Sequence, residues 1–154
     1  MIYLDTSVVL AQLLAEDRRP DAALWAGPLV SSRLLEYETW TRLHARKLER
    51  THGDAARELL GRISFLELSP VVLARALEPF PLPVRTLDAL HLASALFLRD
   101  RRTDVALATF DDRMLATARK LGLRLWSAPS PRPTPPPAPP AARPRSPARP
   151  AGRR

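Results

Sequence analysis

No cysteine occurs in the sequence, so neither a disulfide framework nor a thiolate metal site is open to it, and a reducing compartment suits it. Aromatic residues are scarce, at 6%, which leaves Leu, Ala and Val to build the core. No run approaches the ~18 apolar residues of a membrane span. The opening stretch MIYLDTSVVLAQLL lacks a basic start and carries Asp5 among its apolar residues, which makes a poor secretory signal. A cytoplasmic protein with no membrane association is the expectation. No internal repeat is present. What the chain does have is 154 residues, 45% hydrophobic and 26% charged, the size and composition of one globular domain.

Acid is also missing, but only from one end. Residues 127–154 hold six arginines, eleven prolines and no Asp or Glu. Such a segment buries too little apolar surface to offset the entropy of folding, and it reads as a disordered, partly polyproline-like tail. A spacer is its simplest role; arginines on a tail can also touch polyanions without specificity. The tail supplies most of the formal net charge of +8, because residues 1–126 carry 18 basic and 16 acidic side chains. Function must therefore be argued from a site in the body, not from overall charge. The expected organisation is one domain over 1–126 and the tail over 127–154.

Within the body, short apolar runs alternate with helical patterns. Strands are expected at 1–4, 28–31, 65–68, 105–108 and 123–126. Helices are expected after Asp5 through Leu14, then over 18–26, 33–49, 54–63, 70–76, 86–98 and 111–121. Pro70 suits a first helical turn, and Gly122 suits a helix end. Thr51–Gly53 is the expected stop of the long helix that begins at Arg33. Strand–helix alternation with short, continuously apolar strands predicts an α/β fold whose parallel sheet is covered on both faces.

Three aspartates share one context. Asp5 ends the first strand, Asp111 follows the fourth, and Asp88 lies in a first helical turn. Each could simply cap or sweeten a helix N-terminus, a role worth ~0.3–1 kcal/mol to the helix. Together they suggest more. Ligands of open parallel sheets bind beyond the carboxyl ends of the strands, where Asp5 and Asp111 would both lie. Caps are also over-supplied, since Thr6 and Ser7 adjoin Asp5 and Thr86 precedes Asp88. Asp88 sits in LDALHLASALFL, where an uncompensated charge is costly. Glu36 and Glu38 are further candidates on the helix after PLVSS; two positions apart, they point to nearly opposite sides, and spacing does not choose between them. Clustered carboxylates repel unless a cation joins them, and Mg²⁺ or Mn²⁺ in such a setting can acidify a water and stabilise phosphate oxygens. That chemistry hydrolyses a phosphodiester without a nucleophilic side chain.

Four segments carry a family resemblance. LDTSVVL at 4–10 resembles the opening motif of PIN domains. SSRLLEYE at 31–38 resembles their second motif, in which a serine precedes the acid by six; Ser32 to Glu38 fits, so the resemblance selects Glu38. RTLDALHLASAL at 85–96 is similar to the VapC toxin branch. ATFDDRMLATARKLGL at 108–123 resembles the fourth motif, Thr-x-Asp before a helix and Leu-Gly-Leu, which selects Thr109 and Asp111 and leaves Asp112 outside. All four stand in the family's order between residues 3 and 126. The resemblance implies a three-layer PIN-like fold with a sheet of about five parallel strands flanked by helices. It implies Mg²⁺, or Mn²⁺, held by Asp5, Asp88 and Asp111, with Glu38 holding metal-bound water and Thr109 orienting the site. It further implies endonucleolytic cleavage of RNA, a tRNA or an rRNA loop, restraint by a small VapB-like antitoxin, and a homodimer. The Pro/Arg tail is no part of that pattern.

Two other functions fit parts of the sequence. A phosphatase or phosphotransferase could use Asp5 as a nucleophile, although position 7 is Ser and not the second Asp usual in that chemistry. A non-catalytic RNA- or protein-binding module would use the acids only as caps. His91, three residues after Asp88, reads as a hydrogen-bonded helix histidine, with a metal or acid–base role as the alternative. His44 and His52 read as surface. Trp25, Trp40 and Trp126 read as packing residues, because no basic–aromatic interleaving surrounds them in the chain. Arg42, Arg46, Lys47 and Arg50, and likewise Arg113, Arg119 and Lys120, read as solvated faces that could also meet an RNA backbone.

Overall fold

Five apolar runs pair into a wholly parallel sheet: β1 (Ile2–Leu4), β2 (Leu29–Ser32), β3 (Ile63–Leu66), β4 (Ala106–Ala108) and β5 (Arg124–Leu125), in the order β3-β2-β1-β4-β5. The computed structural model describes residues 1–101 and 103–128, so the tail expectation lies outside the described residues except at Ser127 and Ala128. Helices α1 (Thr6–Leu13), α2 (Arg33–Ala45), α3 (Glu49–Leu60), α4 (Pro70–Leu77), α5 (Thr86–Asp100) and α6 (Asp112–Lys120) connect the strands, with a 3-10 turn at Ala22–Ala26. Strand residues alternate between two cores. Ile2, Leu4, Leu29 and Ala108 pack with Val8, Val9, Leu35 and Leu59 on the face covered by α1, α2 and α3. Tyr3, Val30 and Leu107 pack with Leu92, Leu96 and Met114 on the face covered by α5 and α6. A sheet buried on both faces is why its strands read as unbroken apolar runs. Among the described residues, no helix is long and apolar enough to cross a membrane.

The strand order positions the site. The chain steps outward from β1 to β2 to β3, then returns to place β4 on the other side of β1. Connections leaving β1 and β4 thus diverge, which opens a crevice at their carboxyl ends.

Several boundaries differ from expectation. The helix over 18–26 contracts to the 3-10 turn at Ala22–Ala26, and β3 runs over Ile63–Leu66 where 65–68 was expected. The long helix from Arg33 stops at Ala45, not near Thr51–Gly53. Leu48 N donates to Leu43 O and Lys47 N to His44 O, with Lys47 at φ 56°, a helix-ending Schellman arrangement in which a lysine stands where glycine is preferred. Gly53 is instead inside α3, buried beside Trp40.

Candidate active site

Asp5 is the first residue beyond β1. Its amide extends the β1–β4 ladder by donating to Ala108 O at 3.0 Å, and its extended backbone (φ −87°, ψ 154°) turns the chain into α1. The side chain is 6% exposed. Its Oδ2 accepts from Ser7 N at 3.3 Å, from the Ser7 hydroxyl, and from the Thr109 hydroxyl at 2.8 Å. Those two hydroxyls are themselves anchored across the crevice. Ser7 Oγ accepts from Phe110 N at 2.9 Å, and Thr109 Oγ1 accepts from Asp111 N at 3.0 Å. Two amides at the end of β4 therefore orient two hydroxyls, which in turn fix one oxygen of Asp5. Asp111 caps α6, its Oδ1 accepting from Arg113 N at 2.8 Å and Met114 N at 2.9 Å.

A second network fixes Glu38, which α2 directs into the same crevice. Glu38 Oε2 accepts from the Thr6 hydroxyl at 2.5 Å and lies 2.8 Å from His91 Nε2. His91, 1% exposed on α5, has its Nδ1 3.0 Å from the Tyr3 hydroxyl, which also accepts from Ser32 N at 3.2 Å. The two rings meet edge to face at 78°. The Nε2 is also 3.9 Å from Asp5 Oδ1, so His91 links both acids. Burial opposes the charged imidazole, but Tyr3, the bond to Glu38 and the charges of Asp5 and Glu38 outweigh it and raise the pKa to about 10. Burial would likewise raise Glu38; the bond and charge of His91, the Thr6 hydroxyl and Arg42 reverse this and hold the carboxyl below its ordinary value.

Asp88 shows the opposite balance. It lies in the first turn of α5, half-buried at the cleft wall and not enclosed by the apolar body of the helix. Partial burial, then Asp111, then Asp5 push its carboxyl upward, and the backbone at Arg85 and the Arg85 charge offset only part of this. Asp88 of α5 is thus repelled by the carboxylates that follow β1 and β4.

Asp5, Thr6, Ser7, Glu38, Asp88 and Asp111 line one cleft of about 400 Å³. Thr109 stands behind it, bonded to Asp5. The structure therefore brings all five acids-and-threonine candidates together, and it excludes the two neighbours. Glu36 pairs with Arg33 at 2.9 Å outside the cleft, and Asp112 lies 3.8 Å from Arg18 and is exposed. His44 is exposed and His52 half-exposed, while Trp25, Trp40 and Trp126 pack partly buried against the first core. Arg42 lines the cleft; Arg46, Lys47 and Arg50 are solvent-exposed. Sequence reasoning treated Thr6 and Ser7 as spare caps and did not connect Tyr3 to His91. The available signal was a tyrosine inside a buried strand, whose hydroxyl needs a partner, facing a helix that carries one histidine.

A PIN domain family model matches residues 2–120. The chain is 30% identical over 128 residues to Ribonuclease VapC47 of Mycobacterium tuberculosis, spanning 79% of this chain and 93% of that protein. It is 35% identical over 139 residues to Ribonuclease VapC46 of the same species, spanning 84% and 98% respectively. Among solved structures, Mycobacterium tuberculosis VapC20, a sarcin-ricin loop cleaving toxin, superposes with a TM-score of 0.59 at 24% identity, over 75% of this chain and 94% of that one, which supports the fold. With the motifs, the β3-β2-β1-β4-β5 sheet and these relatives in agreement, the chain belongs to the PIN-domain family, on its VapC branch.

Proposed function

We propose that this chain is a toxin-type endoribonuclease that hydrolyses RNA phosphodiesters with the help of Mg²⁺ or Mn²⁺. The observation that carries the reading is the convergence of Asp5, Glu38, Asp88 and Asp111 on one cleft at the β1/β4 reversal. Ribonuclease relatives on the same branch support it. The donor set fits a hard cation, being all carboxylate and hydroxyl oxygen. Among the described residues no three such groups already converge at ligand distance. Mg²⁺ does not ask for that: it keeps several waters and takes one or two carboxylates plus substrate phosphate.

Asp5 and Asp88, with Asp111, are the residues that would hold the cation. When bound it would supply charge compensation at the phosphate and an acidified water. The chain's own residues do the positioning. Ser7 and Thr109 lock Asp5 Oδ2 and so set the direction of the carboxylate. His91 and Thr6 occupy Glu38 Oε2, which leaves Oε1 to accept a hydrogen bond from the attacking water. A carboxyl held below its ordinary pKa is a weak base, so Glu38 orients that water more than it stores its proton. The amino ends of α1, α5 and α6 border the cleft and favour an anionic phosphate. Because water attacks and not the 2′-hydroxyl, the products carry 5′-phosphate and 3′-hydroxyl ends.

The same reading extends to a tRNA or rRNA substrate, a VapB-like antitoxin, a homodimer, a cytoplasmic setting, and a nuclease domain over 1–126. Asp5 and Asp111 do cap helices, and Asp88 bonds the backbone of Arg85 at the start of α5, as a mere binding module would need, but Glu38 lies inside α2, caps nothing and still faces the cleft. An Asp5 nucleophile is disfavoured by its 6% exposure and the three donors on Oδ2. Incubation with total RNA tests the proposal: cleavage should require Mg²⁺ or Mn²⁺, stop with EDTA, and be restored by added metal. Cleavage that persists in EDTA, or a phosphate trapped on Asp5, would overturn it.

A further inference from the structure

The acid cleft poses a problem that it does not solve. A single phosphate can be accommodated where a cation offsets the carboxylates, but the neighbouring phosphates of an RNA strand would meet a wall of acids, with Arg42 the one lining arginine among the described residues. Cations must stand nearby. A larger cavity of about 570 Å³ lies along the same sheet edge, over the ends of β4 and β5. Its walls include Thr109, whose hydroxyl holds Asp5, so the two hollows are separated by one residue of β4's exit.

The cavity has basic edges and an apolar floor. Arg18, Arg19 and Arg119 line it, against a single acid among the described residues, Asp21. Arg18 is part of the wall: it donates to Phe110 O at 3.3 Å, stacks on the Phe110 ring at 4.8 Å, and lies 3.8 Å from Asp112. Arg19 and Arg119 are exposed and have no carboxylate within ion-pair distance among the described residues. Trp126 lines the cavity too, fixed where its amide donates to Leu107 O at 2.8 Å. Arginines next to an indole are what a single-stranded nucleotide uses, charge for its phosphate and a flat apolar surface for its base. Basic–aromatic interleaving, absent along the chain, is created by folding.

We propose that this arginine-lined cavity holds a nucleotide of single-stranded RNA next to the bond that is cleaved, with Arg19 and Arg119 on the flanking phosphates and Trp126 against the base. The inference rests on the ribonuclease reading above and adds the direction of the strand, from the acid cleft across Thr109 towards β5.

The test uses the full chain and a 5′-fluorescein-labelled single-stranded RNA dodecamer of mixed sequence. Anisotropy titrations at several salt concentrations give affinity and salt slope. Arg19→Ala/Arg119→Ala should weaken binding about tenfold and lower the log–log salt slope by ~1.4, the value for two lost phosphate contacts on a single strand. Arg101→Ala, a surface arginine stacked on Phe97 at the far end of α5, should change neither. As a measurement independent of any variant's folding, the same dodecamer carrying 4-thiouridine is crosslinked to the wild-type chain, and adducts should fall on peptides containing Phe110 or Trp126. Unchanged affinity and slope in the double variant, or adducts confined to other peptides, overturn the subsite while leaving metal-dependent cleavage of total RNA intact. A wild-type chain that neither binds nor cuts RNA overturns both readings.

Discussion

The two walls of the acid cleft are built on opposite principles. On one, Ser32 N, Tyr3, His91, Glu38 and Thr6 form a closed chain of hydrogen bonds, and Asp5 Oδ2 is held by Ser7 and Thr109. On the other, Asp88 and Asp111 face the cleft with like charges, and among the described residues neither joins an ion pair. The closed wall is finished before any ligand arrives and serves rigidity. The open wall is left with repulsion that only a proton or a cation relieves. The difference separates the residues that hold the site in shape from those that wait for a partner.

The largest effect expected from breaking this contrast is on the open wall. Asp88→Asn should lower RNA cleavage by roughly 10²- to 10³-fold, as expected for losing a cation's stabilisation of phosphate charge. Its stability should move the other way. Without metal, Asp88→Asn removes a repelled carboxylate, so the melting temperature in EDTA should equal or exceed that of the wild type. Mg²⁺ at one hundred times its dissociation constant should stabilise the wild type by about 2.7 kcal/mol and the variant far less. Glu38→Gln should instead lower the melting temperature in EDTA, because it discharges the partner of His91. Equal destabilisation by both substitutions would erase the distinction between the walls.

The next effect concerns the closed wall alone. His91→Leu leaves the Tyr3 hydroxyl and a mostly buried Glu38 carboxylate without their shared partner, and should cost about 3 kcal/mol in urea unfolding. The pair also sets a pH window. The His91 pKa is raised above its unfolded value, so its contribution is complete below about pH 6.5 and is lost as pH climbs towards about 10. The Glu38 pKa is lowered, so its contribution is complete above its unfolded value near 4.5 and is lost as pH falls further. Asp88 has the reverse sign, since protonation relieves its repulsion. On the acid side Glu38 and Asp88 therefore oppose each other, while on the alkaline side wild-type stability should fall with His91, and in His91→Leu that decline should vanish.

How much of this was legible depends on whether the signal was local. The parallel sheet and the placing of Asp5 and Asp111 at one sheet edge were, because short apolar strands and Asp at strand ends are local patterns. Helix ends show the limit. Schellman arrangements end α2 and α6, and α1 closes with Glu16 N donating to Ala11 O, with Ala15 (φ 50°), Lys47 (φ 56°) and Gly122 (φ 68°) at the left-handed position. Only Gly122 announces itself by residue type; the ends of α1 and α6 fall within a residue of expectation, whereas α2 stops at Ala45 and not at Thr51–Gly53. Glu38 could be preferred to Glu36 by family resemblance but not by helical spacing, since what decides is His91, 53 residues away. The cavity beside Thr109 was invisible for the same reason, its arginines and Trp126 being brought together by the fold from 18–19, 119 and 126.

The smallest expected effect would sharpen the comparison most. Thr109→Val keeps the shape of the side chain but removes one donor from Asp5 and the acceptor of Asp111 N. Ser7→Ala does the same for Asp5 and Phe110 N. Each should cost about 1–3 kcal/mol of stability and roughly 10- to 100-fold in cleavage, the range for groups that orient a ligand without touching substrate. The two hydroxyls lie 3.4 Å apart and serve the same oxygen, so their effects should not add. Losing either frees Asp5 to turn, and losing the second then frees little more. The double variant should therefore cleave RNA only slightly more slowly than the worse single variant. Additive losses would mean that Ser7 and Thr109 hold Asp5 independently, and that this part of the closed wall is two separate braces and not one bracket spanning β1 and β4.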